Sequence, residues 1–255
     1  MLARFFQSRR PAPFQPALPA GSRVYAIGDV HGCLAELDQL LAAIDADDAA
    51  RPPAATTLIF IGDLIDRGPD SAGVINRVIA LGDDGRDVRV LAGNHEEMFA
   101  GALAGDAKLL RLFSRVGGQE TALSYGIDPL AYERADHDEL GALLTTHVPA
   151  RHREFLASLQ DSVELGDYLF VHAGVHPGIA LDEQRGTDLR WIRSPFLEHD
   201  RPLGRMVVHG HTIVREVERR PHRIGIDTGA YATGRLTALG LEGTTSWVLS
   251  TIGDG

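Results

Sequence analysis

The sequence predicts an α/β fold, a layered sheet with a second sheet packed against it, and three observations carry that prediction. First, three apolar strand-like runs are each followed by a short polar cluster and then a helix-like stretch, the alternation of a layered α/β sheet. Second, residues 97–160 carry Leu, Phe and Met on recurring helical faces and form a helical cap segment. Third, the remaining third of the chain returns to strand patterning with no linker before it, so it adds a sheet to the same domain.

In chain order, residues 1–22 hold Arg4, Arg9, Arg10, Phe5, Phe6 and repeated prolines without an acid, the composition of a flexible tail. The folded domain is expected over 23–255. Val24 to Ile27 reads as the first strand, followed by a helix from Cys33 to Asp45 with Leu34, Leu37, Leu40, Leu41 and Ile44 at helical spacing. The segment from Ala46 to Thr56 reads as a loop. Leu58 to Ile61 is the second strand, with a helix over Ser71 to Leu81, and Val88 to Leu91 is the third, entered through the turn Gly82-Asp83-Asp84-Gly85. After the cap, strands are predicted at Ser162–Leu165, Tyr168–His172, Met206–His209, Arg223–Asp227, Leu236–Leu241 and Thr245–Leu249.

Composition excludes several functions. At 255 residues and 44% hydrophobic content the chain can bury a substantial core. A formal net charge of −10 argues against a nucleic-acid footprint, which needs clustered Lys and Arg, but permits a small phosphorylated ligand if bound cations reverse the potential in the cleft. Cys33 is the only cysteine, which rules out a disulfide framework and a thiolate zinc site and suits a cytoplasmic protein. It lacks the downstream Arg of a cysteine-dependent phosphatase, with Gln39 in its place, and reads as buried packing. No apolar run is long enough to cross a bilayer.

The chemistry lies in the clusters. Gly28-Asp29-Val30-His31-Gly32, Gly62-Asp63-Leu64-Ile65-Asp66-Arg67-Gly68 and Gly93-Asn94-His95-Glu96 each follow a strand, where functional groups of open α/β sheets collect. Val171-His172-Ala173-Gly174 and Val208-His209-Gly210-His211-Thr212 repeat the pattern in the second half. Asp29, His31, Asp63, Asn94, His172 and His211 form a mixed oxygen and imidazole set too large for one ion. Two divalent ions about 3.5 to 4 Å apart, bridged by a carboxylate such as Asp63, would use it fully. The donors suit Mn²⁺, Fe or Zn²⁺. Taken singly, Asp29 and Asp63 would pass for helix caps, and the other histidines, His137, His147, His152, His176, His199 and His222, for surface or loop residues.

The order and wording of GDVHG, GDLIDRG, GNHE, HAG and HGHT resemble the phosphoprotein phosphatase branch of the calcineurin-like metallophosphoesterases, its bacterial and phage members above all, from about Arg23 to Thr251. The resemblance implies a β-sandwich of two mixed sheets flanked by helices, with a dinuclear site at one end. It gives one metal Asp29, His31 and the bridging Asp63, and the other Asp63, Asn94, His172 and His211, with His209 supporting its neighbours. Mn²⁺ is the expected ion. The mechanism it implies is direct attack of a metal-bridging hydroxide, with His95 as general acid oriented by Asp66. Arg67 and Asn94 contact the phosphate, and a second arginine is drawn from the Trp191-Ile192-Arg193 triplet, Arg193 being preferred to Arg190.

The activity expected from this resemblance is hydrolysis of phosphoserine and phosphothreonine in proteins, with phosphotyrosine as a further substrate; the partners are phosphorylated proteins or peptides, with no nucleic acid and no membrane. The alternative is a bis(5′-nucleosyl)-tetraphosphatase, a relative that opens on a similar GDxHGC motif. Asp66-Arg67-Gly68 and Glu96 set the order, since tetraphosphatases typically depart from the phosphatase wording there. An inactive binding module of the same fold is disfavoured by the complete ligand set and His95.

Overall fold

Val24 and Ala26 point to one face of the first strand and Tyr25 and Ile27 to the other, and all four side chains are buried. A strand covered on both faces needs a layer on each side. The computed structural model, which describes residues 14–251, supplies both. Helices lie on one face of the first sheet, and a second sheet lies on the other.

The ten strands among the described residues are β1 (Ser22–Ile27), β2 (Ala55–Phe60), β3 (Asp87–Val90), β4 (Ser162–Leu165), β5 (Tyr168–Val171), β6 (Met206–His209), β7 (Glu218–Arg219), β8 (Arg223–Gly225), β9 (Thr237–Glu242) and β10 (Thr245–Ser250). The first sheet has the order β10-β9-β1-β2-β3 and the second β4-β5-β6-β8-β7. Each sheet holds three parallel strands: β1, β2 and β3 in one, β5, β6 and β8 in the other. Antiparallel strands complete both, so both sheets are mixed.

Between the sheets lies an apolar layer of Val24, Ala26, Ile59, Ile61, Phe170, Val208, Ile226 and Leu239. The outer face of the first sheet is covered by α1 (Leu34–Ala50), α2 (Ser71–Asp83) and the cap helices α3 (Asn94–Leu103), α4 (Ala107–Arg115), α5 (Gly118–Ser124), α6 (Pro129–Arg134), α7 (His137–His147) and α8 (Ala150–Ala157). A smaller cluster around Val171, Val207 and Phe196 packs α9 (Gly186–Trp191) on the outer face of the second sheet. One turn, α10 (Ala230–Thr233), precedes β9.

The predicted strands are present, and the departures have local causes. The first helix runs to Ala50 rather than Asp45, because alanines favour helix and its acidic end is anchored. Asp48 accepts from the buried guanidinium of Arg23 at 2.7 Å, and Asp47 accepts from the Tyr25 hydroxyl at 2.6 Å. β7 is a two-residue edge strand, too short to leave a period-two pattern. His152 and His222 are not surface residues; both are buried. His152 links the Tyr125 hydroxyl (2.9 Å) to Asn76 Oδ1 (2.8 Å). Of the N-terminal tail, residues 1–13 lie outside the described residues; Leu18 is buried and its N–H donates to Gly243 at 2.8 Å.

Candidate metal centre

Each of the six parallel strands ends in a turn that carries an ionisable or amide side chain. β1 delivers Asp29 and His31, β2 delivers Asp63, Asp66 and Arg67, and β3 delivers Asn94 and His95. The second sheet contributes His172 after β5, His211 after β6 and Asp227 after β8. These turns force the backbone into conformations that side chains disfavour. His31, Asp63, Asp66, Arg67 and His211 have φ of 48°, 50°, 71°, 69° and 62°, and among the described residues no other non-glycine residue has positive φ. Such outliers persist where surrounding structure over-determines them. Close approach also dictates glycine. A Cβ on Gly93 would overlap Asp63 Oδ1, and one on Gly210 would overlap Asp29 Oδ1.

Asp63 stands at the middle of the cluster. Its carboxylate lies 3.6 Å from His31 Nε2, 3.4 Å from His172 Nε2 and 3.9 Å from His95 Nε2. Two donor groups share it: His31, Asp63 and His95, and Asp63, His172 and His211, with donor atoms in each group within 4.8 Å of one another. His172 Nε2 is also 3.1 Å from Asn94 Oδ1. Asp29 joins from the side, its Oδ2 accepting from the His211 backbone N–H at 3.0 Å.

The local hydrogen bonds aim the donors inward. Nδ1 of His31 lies 2.8 Å from the Ile65 carbonyl and Nδ1 of His172 lies 2.9 Å from the Ile61 carbonyl. Each Nδ1–H therefore donates outward and leaves the Nε2 lone pair facing Asp63, the arrangement in which imidazole binds a metal. Asp29 Oδ1 and His211 Nε2 are buried without a partner. Burial, reinforced by Asp227 and Asp63, drives the Asp29 carboxyl well above its usual range. Burial alone would raise Asp63 too, but His172 and His95 outweigh it and hold Asp63 low. Burial pushes His31 and His211 down to about 3, so both are neutral and able to ligate. A divalent cation would satisfy the orphaned atoms and cancel the repulsion among Asp29, Asp63 and Asp227, so these residues fit a metal.

Beside this cluster, His95 Nδ1 lies 2.6 Å from Asp66 Oδ2, and both side chains are buried. Burial opposes charge on His95, but the carboxylates of Asp63 and Asp66 raise its pKa. Asp66 is held in turn by the Thr121 hydroxyl at 2.6 Å from α5. The Arg67 guanidinium reaches Nε2 of both His31 and His95 at 3.0 Å and lies 4.8 Å from the Tyr231 ring.

Glu96 proves to be a clamp on the loops: its carboxylate accepts from the backbone N–H of Asp63, Leu64 and Gly93 at 2.7 to 2.9 Å. Arg193 is exposed at the rim, donating to the His211 carbonyl at 3.4 Å, whereas Arg190 is occupied by Glu97 and Asp161. His209 points away from the donors, edge-on to Phe196 and 3.3 Å from Arg223. Cys33 is buried, its thiol pushed up to about 11 by burial.

Three neighbours of the site escaped the sequence reading. Asp227 is buried after β8 with Oδ1 accepting from Gly229 N–H at 2.9 Å. Its Asp-Thr-Gly signature after an apolar strand matches the other clusters and was the available signal. Tyr231 left none; Thr121 ends the Gly117-Gly118-Gln119-Glu120-Thr121 stretch, which reads in sequence as a bend toward the site or a plain inter-helix turn, and nothing there singles out its hydroxyl.

A model described as calcineurin-like phosphoesterase matches residues 22–225 of the chain. The asymmetrical bis(5′-nucleosyl)-tetraphosphatase PrpE of Anoxybacillus flavithermus is 28% identical over 84% of this chain and 88% of its own length. A symmetrical bis(5′-nucleosyl)-tetraphosphatase of Methylococcus capsulatus is 39% identical over 60% of this chain and 44% of its own, so the chain spans less than half of that relative. Among solved structures, a provisionally assigned diadenosine tetraphosphatase superposes with a TM-score of 0.64 at 23% identity, covering 93% of this chain and all of the other. A cold-active protein tyrosine phosphatase gives 0.60 at 20% identity, covering 91% and 81%. At such identities the two structures share the fold alone.

Proposed function

The chain belongs to the calcineurin-like phosphoesterase family, whose members carry a dinuclear metal site, and from that premise we propose that it hydrolyses bis(5′-nucleosyl) tetraphosphates. The observation that carries the phosphoester chemistry is the buried Asp63 carboxylate set between two imidazole groups. The substrate follows the relatives, reversing the order drawn from the motifs. Asp66-Arg67-Gly68 and Glu96 favoured a protein phosphatase, but their contacts are indifferent to what the phosphate is attached to. Glu96 holds backbone N–H groups, and Arg67 reaches His31 and His95, contacts that involve no group peculiar to either substrate.

Asp29, His31 and Asp63 would hold one cation, and Asp63, Asn94, His172 and His211 the other, with Mn²⁺ suited to this donor set. When bound, such ions supply Lewis acidity and a nucleophilic water at neutral pH. Arg67 forks onto two phosphoryl oxygens, leaving the His95 Nε2 lone pair free to take a proton from solvent. His95, its Nδ1–H held by Asp66, then delivers that proton to the departing phosphate oxygen. Arg193 at the rim extends the positive edge along the phosphate chain. Water adds to phosphorus, one bridging P–O bond breaks, and two nucleotides leave.

The test is turnover by Mn²⁺-loaded protein of diadenosine tetraphosphate and of a phosphoserine peptide. Higher kcat/KM for the dinucleotide is expected; preference for the peptide would overturn the proposal and restore the protein phosphatase reading. Among the described residues no helix is long and apolar enough to cross a membrane; a cytoplasmic setting is part of the same proposal.

A further inference from the structure

Arg67 lies on two surfaces at once: it reaches His31 and His95 at the candidate metal centre, and it lines a neighbouring cleft of about 660 Å³ between α1, Pro69 and α10. Such a volume suits a small molecule rather than a folded partner. None of the cap helices lines it.

The wall combines an exposed aromatic ring, apolar surface and an unengaged carboxylate. Tyr231 is 39% exposed, stands over the Arg67 guanidinium, and meets His31 edge-on at 5.3 Å between ring centres. Leu34 and Pro69 add apolar surface for a planar base. Three carboxylates line the cleft, and two are engaged: Asp38 pairs with Arg77 at 2.7 Å and Asp70 caps α2 through Gly73 N–H at 2.8 Å. Glu36 has no hydrogen bond or ion pair among the described residues, so its oxygens are available to donors such as ribose hydroxyls. Arg67 is the one cation in this lining. An acidic wall of this kind repels further phosphates and accepts the neutral, hydroxyl-rich end of a nucleotide.

We propose that this cleft binds a nucleoside end of the substrate, with the base against Tyr231 and the ribose hydroxyls on Glu36, while the phosphate chain runs from Arg67 across the metal centre. The assignment rests on the tetraphosphatase reading above and specifies how that substrate is recognised.

The experiment compares Mn²⁺-loaded wild type, Ala35→Trp, which fills the cleft from the exposed face of α1, and Tyr231→Leu, each checked for metal content and thermal midpoint. The readouts are KM for diadenosine tetraphosphate and the inhibition constant of tripolyphosphate, which carries phosphates and no base. Base stacking of ordinary strength predicts KM rising about tenfold in each variant, with the tripolyphosphate constant of Ala35→Trp held within about twofold. If the dinucleotide is hydrolysed and neither variant moves its KM, the cleft assignment is overturned and the tetraphosphatase reading stands. If the metal-loaded wild type does not hydrolyse the dinucleotide, both fall, and a phosphopeptide KM raised by the same variants would give the cleft to a peptide instead.

Discussion

At the residue scale, His95 and His152 show how the same side chain serves opposite ends. His95 is flanked by carboxylates that raise its pKa, which suits the proton-donor role proposed for it. His95→Asn is expected to lower kcat by about 10² to 10⁴ while bound metal, measured by elemental analysis, stays at the wild-type level; unchanged turnover would remove His95 from the mechanism. His152 is buried between Tyr125 and Asn76, and burial lowers its pKa below the ordinary 6.5. The unfolded chain therefore takes up this proton first. The contribution is complete above about pH 6.5 and is lost as the pH falls below it. Urea midpoints measured from pH 7.5 to 5 should drop more steeply for wild type than for His152→Gln; parallel curves would show that His152 is not the titrating group. The setting of His95 beside Asp66 was legible from its motif. That of His152 was not, because a histidine without neighbours of known chemistry looks the same in sequence whether buried or exposed.

At the scale of elements, the strand ends were legible because Gly beside Asp or His interrupts an apolar run, and that interruption is a local signal. What ties the strand ends together was legible only in part, Glu96 reading in sequence as a helix N-terminal residue or an acceptor beside the ligands with no partner named. Glu96, in the first turn of α3, binds the backbone of the β2 turn and so locks two loops in one geometry. Glu96→Ala would leave three buried N–H groups without an acceptor, a cost of about 3 kcal/mol or more. Chemical denaturation should register that loss, and a variant as stable as wild type would show that water replaces the carboxylate. Thr121 in α5 performs a related service for Asp66 from 55 residues away. In sequence, Gly117 to Thr121 reads as a bend toward the site or a plain turn between helices, and neither reading says which residue faces a distant carboxylate.

At the scale of the molecule, the centre straddles the sandwich: Asp29, His31, Asp63 and Asn94 come from the first sheet, and His172, His211 and Asp227 from the second. Cations bound there would join the sheets and neutralise carboxylates that otherwise repel. Saturation at a hundred times Kd stabilises by about 2.7 kcal/mol per site. Chelation should therefore lower the calorimetric midpoint as well as abolish turnover, and Mn²⁺ should restore both; a midpoint indifferent to chelation would place the metal elsewhere. The sandwich itself was readable from strand patterning, while the addition of Asp227 depended on seeing the sixth parallel strand point the same way as the other five. The far end of the sandwich has a different character. There the strands begin, and the bends at Gly21, Gly85, Gly204 and Gly243 leave open space around their α-carbons. Foreign peptide spliced into those bends meets no reacting group, so that pole is where the protein can be fused, tethered or permuted while the opposite pole continues to turn over substrate.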